Sequence, residues 1–112
     1  MDEEKHCISA KAFAEKYRKG QLEDVVLLDV REEEEWRVYR LNEAVLIPLQ
    51  TIPYRLDRLE RDKKTYVLCA HGVRSAHAVH FLYRLGFTQV VNVDGGLAEV
   101  SLYLDEQDVR PK

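Results

Sequence analysis

Cys69, followed by Ala70, His71, Gly72, Val73, Arg74 and Ser75, is the stretch of this chain richest in chemical possibility. Tyr66-Val67-Leu68 is a short apolar, β-leaning run that stops at the cysteine, and a helical pattern opens at Ser75. A strand that turns through a tight loop into a helix start aims several backbone N–H groups at one spot. The positive end of the helix dipole lies there too, so the spot favours an anion. A thiol placed in it loses its proton more readily than a free cysteine, whose pKa is about 8.5. The thiolate is the nucleophile, which makes Cys69 a candidate reactive cysteine. Gly72 lets the loop close without a Cβ clash. His71, inside the loop, is a candidate hydrogen-bond donor or pH-sensitive charge beside the sulfur.

The elements that must hold this loop can be read around it. After it, Ala78, Leu82 and Leu85 form one helical stripe with Phe81 beside it. Gly86 suits the left-handed residue past a helix end, with Phe87 folding back on Leu82. Before it, Val25 to Leu28 is a continuous apolar run, the mark of a central parallel strand covered on both faces. That run ends in Asp29-Val30-Arg31, the acidic run Glu32 to Glu35, and Trp36. Open α/β sheets put their sites beyond strand carboxyl ends. Even so, Asp29 and Arg31 so close to a glutamate run read as loop-tying residues rather than chemistry.

The remaining segments complete the pattern. Lys5 to Ile8 is weakly strand-like, and Ser9 caps a helix over Ala10 to Lys19 that ends at Gly20. Ala44 to Ile47 is another short strand, closed by Pro48. Leu49 to Arg61 reads as mostly helical, with Pro53 near its first turn and Arg55, Arg58 and Arg61 on a solvated mixed-charge face. Val90 to Val93 is a further strand, Asp94-Gly95-Gly96 a sharp turn, Leu97 to Leu104 a last amphipathic helix, and Asp105 to Lys112 a frayed polar tail. Strands alternating with helices predict an α/β domain with a mostly parallel sheet of about five strands.

With 112 residues there is room for one core, so residues 1–112 read as a single domain with its core over about 5–104. The net charge of −3, from 17 basic and 20 acidic residues, gives no global attraction for nucleic acid or an anionic membrane. No apolar run approaches the roughly eighteen residues that span a bilayer. The opening residues are acidic where a signal peptide is basic and then apolar, so a cytoplasmic location is expected. The two cysteines, Cys7 and Cys69, do not form a disulfide framework and read as free thiols. Cys7, without glycine or basic company, is expected to be a packed small side chain.

In order along the chain, Leu28-Asp29-Val30-Arg31 with Glu35 and Trp36, Ile47-Pro48-Leu49, Cys69 to Ser75, Leu85-Gly86-Phe87 and Asn92-Val93-Asp94-Gly95-Gly96 together resemble the single-domain form of the rhodanese-like family. The resemblance runs from about Ile8 to Ala98. It implies a three-layer α/β fold, five parallel strands with helices on both faces, and sulfurtransferase chemistry. Cys69 would take the outer sulfur of a donor such as thiosulfate, become a persulfide, and pass the sulfur to cyanide, a thiol or a sulfur-carrier protein. The backbone amides of Ala70, His71, Gly72, Val73 and Arg74 would cradle the persulfide, Arg74 would help bind a small anionic donor, and no metal or organic cofactor is implied. A ring of inward N–H groups is suited to the negative charge of a persulfide. Asp29 and Arg31 resemble the family's loop-tying residues, with Arg31 able to pair with Glu35. The chain departs from the pattern at Tyr39 to Glu43, around Val100, and at Ala70, which is small where many relatives carry a cation. These departures bear on the donor and on partner docking.

Three other readings compete. Cysteine phosphatases and arsenate reductases have a loop one residue longer than the four between Cys69 and Arg74. A metal site built from Cys69, His71, His77 and His80 would put a cation at the positive end of a helix, and His77 and His80 lie opposite the apolar stripe, as surface imidazoles do. A non-catalytic binding module of the same fold typically loses the cysteine. Cys69, Gly72 and Arg74 together favour an active site, while the altered Tyr39 to Glu43 segment keeps a partner-binding role open.

Overall fold

The structure, a computed structural model, describes residues 6–109. Its strands are β1 (Cys7–Ile8), β2 (Val26–Asp29), β3 (Val45–Leu46), β4 (Thr65–Leu68) and β5 (Val90–Val93). Its α-helices are α1 (Ala10–Arg18), α2 (Glu33–Val38), α3 (Val73–Arg84) and α4 (Gly96–Val100). The strands form one sheet in the order β1-β5-β4-β2-β3, and every neighbouring pair is parallel. Parallel neighbours require crossover connections, which is why helices cover both faces. Lys5, at the start of the expected first strand, lies outside the described residues.

Successive side chains of a strand point to opposite faces, and this splits the interior in two. Tyr66 and Leu68 of β4 join Leu27, Val91, Phe13, Leu97 and Val100 under α1 and α4. Val67 and Cys69 join Leu28, Val30, Ala78, Leu82 and Phe87 under α3. The short edge strands β1 and β3 have two residues each, which limits the unpaired backbone the sheet presents. Cys69 thus leaves the middle of the sheet already inside the α3 layer.

The helix ends follow their residues. Ser9 Oγ accepts the Ala12 N–H at 3.1 Å and starts α1. At the end of α3, the Phe87 N–H reaches the Leu82 carbonyl and the Gly86 N–H the Tyr83 carbonyl, each at 3.1 Å, with Gly86 at φ 97°. This is a complete left-handed C-terminal cap, and it places Phe87 in the same core cluster as Leu82.

Several expectations are corrected. α3 begins at Val73, two residues before Ser75, so Val73 and Arg74 belong to its first turn. Its buried stripe is Ser75, Ala78, Val79 and Leu82, while Leu85 and Phe81 are exposed. Leu85 is the capping residue, already off the helical spacing. Leu49 to Arg61 is not an α-helix but two 3-10 segments, Leu49–Tyr54 and Leu56–Arg58. Pro53 has no N–H to give and its ring opposes the Leu49 carbonyl, so three-residue bonds such as Arg55 N–H to Ile52 O replace the α ladder. The last helix ends at Val100 and tightens into a 3-10 turn over Ser101–Tyr103. The tail is docked as far as it is described: Asn42 donates to the carbonyls of Asp108 and Gln107 at 3.0 Å, and Val109 packs against the α1 side of the core.

Candidate active site

Cys69 is the first residue beyond β4 and is 1% exposed. Its Sγ accepts the Gly72 N–H at 3.0 Å and the Ser75 N–H at 3.2 Å, and lies 3.3 Å from Ser75 Oγ. These N–H groups belong to the first turn of α3, where no carbonyl of the helix is available to them. Gly72, at φ 96°, caps the helix in a left-handed conformation that a side chain would resist. Burial alone pushes the Cys69 thiol up. The Ser75 hydroxyl and the backbone N–H groups of Ser75, Gly72 and His71 outweigh it, and the net pKa lies below the ordinary cysteine value.

The loop can aim its N–H groups inward because its carbonyls are held outward. The Cys69 carbonyl accepts from Leu97 N at 2.8 Å and the Ala70 carbonyl from Ala98 N at 3.0 Å. The Gly72 carbonyl accepts from Asn92 Nδ2 at 3.4 Å, and the same amide reaches Asp94 Oδ1 at 3.0 Å. All of these donors come from β5 and the start of α4. The turn Asp94-Gly95-Gly96 is therefore a template on which the cysteine loop is laid.

Arg74 projects from the first turn of α3 and meets Glu35 in a two-pronged ion pair, Nη1 to Oε1 and Nη2 to Oε2, each 2.8 Å. Glu35 Oε1 also accepts the Glu32 N–H at 2.8 Å, which closes the capping box of α2. The Arg74 guanidinium foremost, with the Glu32 N–H assisting against burial, holds the Glu35 carboxyl down to about 2. The expected pairing of Arg31 with Glu35 is thus replaced. Arg31 instead grips Asp29, with Nε at 3.0 Å from both carboxylate oxygens and Nη2 at 2.9 Å, and gives a further bond to the Tyr39 carbonyl at 2.8 Å. Two residues after a buried strand end, Arg31 folds back on its own loop, whereas Glu35 has turned away on α2 toward the cysteine loop.

Of the residues expected at the site, Cys69, Gly72 and Arg74 meet here with the roles just described. Ala70 is half-buried against α4, and His71 and Val73 are exposed at the rim. His77 and His80 are exposed on α3. Cys7 is exposed rather than packed, because β1 is an edge strand. Partial burial and then the neighbouring Asp94 raise its pKa, the opposite of Cys69. In the atypical segment, Leu41 is buried in the core and the Tyr39 ring stacks on Arg31, so its apolar residues are structural.

Sequence reasoning put Ser75 in the loop and Glu35, Asn92 and Gly96 in the family motifs, but gave none of the four a role in the site. Ser75 had a signal: a small hydroxyl at the buried start of an apolar helix stripe. Asn92 had another, a polar residue inside an otherwise apolar strand.

A buried thiol under a helix start, at the carboxyl end of an all-parallel sheet, defines an α/β protein built to hold a thiolate or an anion on it. The chain belongs to the rhodanese-like domain family, whose profile matches residues 9–102. It is 37% identical over 90 residues to a putative sulfurtransferase, YtwF, of Bacillus subtilis, covering 80% of this chain and 84% of that one. It is 31% identical over 80 residues to a sulfurtransferase of Allochromatium vinosum, covering 71% and 75%. The crystal structure of a rhodanese-like domain protein from Staphylococcus aureus superposes with a TM-score of 0.78 at 34% identity, covering 96% of this chain and 98% of that one.

Proposed function

We propose that this chain is a sulfurtransferase that carries sulfane sulfur as a persulfide on Cys69. The observation that carries the reading is the Cys69 sulfur itself, held by two N–H groups and a hydroxyl at 3.0–3.3 Å. That arrangement stabilises a thiolate before reaction and a persulfide after it. With thiosulfate as donor, the thiolate attacks the outer sulfur, the S–S bond of the donor breaks, and sulfite leaves with the bonding pair. The balance is Cys69–S⁻ plus S–SO₃²⁻ giving Cys69–S–S⁻ plus SO₃²⁻. An acceptor such as cyanide or a thiolate, R–S⁻, then attacks the outer sulfur, the S–S bond breaks, and the pair returns to Cys69, giving thiocyanate or R–S–S⁻ and restoring the thiolate. The backbone N–H groups of His71, Gly72 and Ser75, which face the thiol sulfur, would also meet the charge of the outer sulfur. The names of the curated relatives support sulfur transfer as the class of reaction.

The test is an intact mass taken under non-reducing conditions after incubation with thiosulfate, beside Cys69→Ser. A gain of one sulfur in the unaltered protein alone, removed by cyanide, is the expected result. No gain with thiosulfate or with a thiol persulfide would overturn the reading.

A further inference from the structure

Arg74, in the first turn beyond the Cys69 loop, and Arg31, just past the end of the neighbouring strand β2, are both already neutralised. Arg31 is 2% exposed, and its guanidinium is occupied by Asp29 and the Tyr39 carbonyl. Arg74 is held by both oxygens of Glu35, and Glu35 is itself pinned by the Glu32 N–H. Ala70 brings no charge, which leaves His71 as the one ionisable base within the loop. Around the same end of the sheet stand the exposed acids Glu32, Glu33, Glu34 and Asp94. A dianion arriving here meets backbone N–H groups and a closed ion pair, with carboxylates at the rim. A two-pronged arginine–carboxylate pair is among the strongest side-chain hydrogen-bond arrangements, so a donor does not easily take Arg74 from Glu35.

We infer that Glu35 is a specificity-determining residue: by holding Arg74 it withholds the loop's cation from the donor, and so selects a thiol persulfide over the thiosulfate dianion. The inference rests on the sulfurtransferase reading and names its donor class. A persulfide R–S–SH carries at most one negative charge on its sulfurs, and the backbone N–H groups can meet that charge without a side-chain cation. In the step, Cys69–S⁻ attacks the outer sulfur, the new S–S bond forms as the old one breaks, and the electron pair leaves with R–S⁻. The balance is Cys69–S⁻ plus R–S–SH giving Cys69–S–SH plus R–S⁻, with no external oxidant or reductant.

Loading of Cys69 is to be followed with thiosulfate and with glutathione persulfide, and the ratio of the two kcat/KM values compared between proteins. In Glu35→Gln the freed guanidinium attracts the dianion, and the thiosulfate-to-persulfide ratio rises at least about fivefold, mostly through a lower thiosulfate KM. Glu15→Gln, at an exposed acid of α1 on the other face of the sheet, leaves the ratio unchanged and controls for net charge. A ratio that stays flat or falls in Glu35→Gln would overturn the inference alone. Failure of both donors to load the unaltered protein would overturn the sulfurtransferase reading and the inference with it. A measurement that needs no variant is the salt dependence of thiosulfate loading in the unaltered protein. With Arg31 and Arg74 both held by carboxylates, added salt leaves thiosulfate kcat/KM level or raises it, whereas a steep fall would show that Arg74 engages the dianion and overturn the proposal.

Discussion

Gly96 lies flat against the Ala70–His71 peptide: a Cβ at Gly96 would stand 2.5 Å from the Ala70 carbonyl carbon and oxygen and from the His71 nitrogen. This contact explains why the turn after β5 carries glycine. The next two residues, Leu97 and Ala98, donate to the Cys69 and Ala70 carbonyls. The template reaches those carbonyls only if nothing separates the two backbones.

Gly96→Ala is therefore expected to damage both stability and loading. The φ of 65° disfavours a side chain by about 1–2 kcal/mol, and the clash with backbone that cannot rotate away adds about 1–3 kcal/mol. Gly20 is a matched control, because it has φ 70° but nothing within 4 Å of a built Cβ. Gly20→Ala should show only the first cost and load normally. Gly96→Ala should also slow persulfide loading by at least about tenfold, since small displacements of a reacting group are expensive. Thermal melts and loading rates on the pair separate the two effects. Equal losses in both variants would refute the template role.

Ser75 supplies both an N–H and a hydroxyl to the Cys69 sulfur. Ser75→Ala removes the hydroxyl and leaves the burial that pushes the thiol up. The Cys69 pKa is therefore expected to rise. A thiolate is needed for attack, so the alkaline rise of the loading rate moves to higher pH while its plateau changes less. Thiolate absorbance against pH in a Cys7→Ser background reads Cys69 alone. An unmoved titration would show that the N–H groups suffice.

Much of the fold was legible because its signals are local. Val26 to Leu28 and Tyr66 to Leu68 are apolar without interruption, and both are central parallel strands. Gly86 and Phe87 spelled out the end of α3. Cys69, Gly72 and Arg74 announced the site by type and spacing. What the sequence could not give were partnerships across the chain. Glu35 and Arg74 are 39 positions apart, and Asn92 and Gly72 are 20 apart. Glu35 stood out from Glu32, Glu33 and Glu34 through its motif with Trp36, but its partner was read as the nearby Arg31 rather than the distant Arg74. The Leu49 to Arg61 error has a different origin. Apolar spacing there suits an α-helix, but Pro53 settles the hydrogen-bond pattern in favour of 3-10 turns.

The Asp29–Arg31 pair should behave as a structural tie. Asp29 is fully buried, and its carboxylate is met by the Arg31 side chain and by the Arg31 backbone N–H at 3.0 Å. Arg31→Met keeps the bulk but leaves a buried carboxylate with little besides that N–H, at an expected loss of about 3–5 kcal/mol. Asp29→Asn with Arg31→Met removes the stranded charge and should recover part of the loss. Urea denaturation of the three proteins measures it. A loss below about 1 kcal/mol in Arg31→Met would mean that water reaches Asp29 easily, and that the strand end does not depend on the pair.

The docked tail gives the last expectation. Asn42 donates its backbone N–H to the Asp108 carbonyl and its side-chain N–H to the Gln107 carbonyl, each at 3.0 Å, while Val109 packs against the core. Just beyond, Glu43 sits at φ 74°, a left-handed conformation that costs a residue with a side chain about 1–2 kcal/mol. Such a turn persists when its neighbours hold it, and here Asn42 is held by the tail bonds while buried Leu41 accepts the Ala44 N–H at 3.3 Å across the turn. Among the described residues, deleting 105–112 removes the two Asn42 hydrogen bonds, at about 1 kcal/mol each, and part of the burial of Val109. A loss of about 2–4 kcal/mol is expected, together with faster exchange of the Asn42 amide hydrogen. Val109→Ala should show only the packing share of that loss. A truncated protein that melts with the full chain and protects the Asn42 amide equally would mean that Leu41 alone holds the turn.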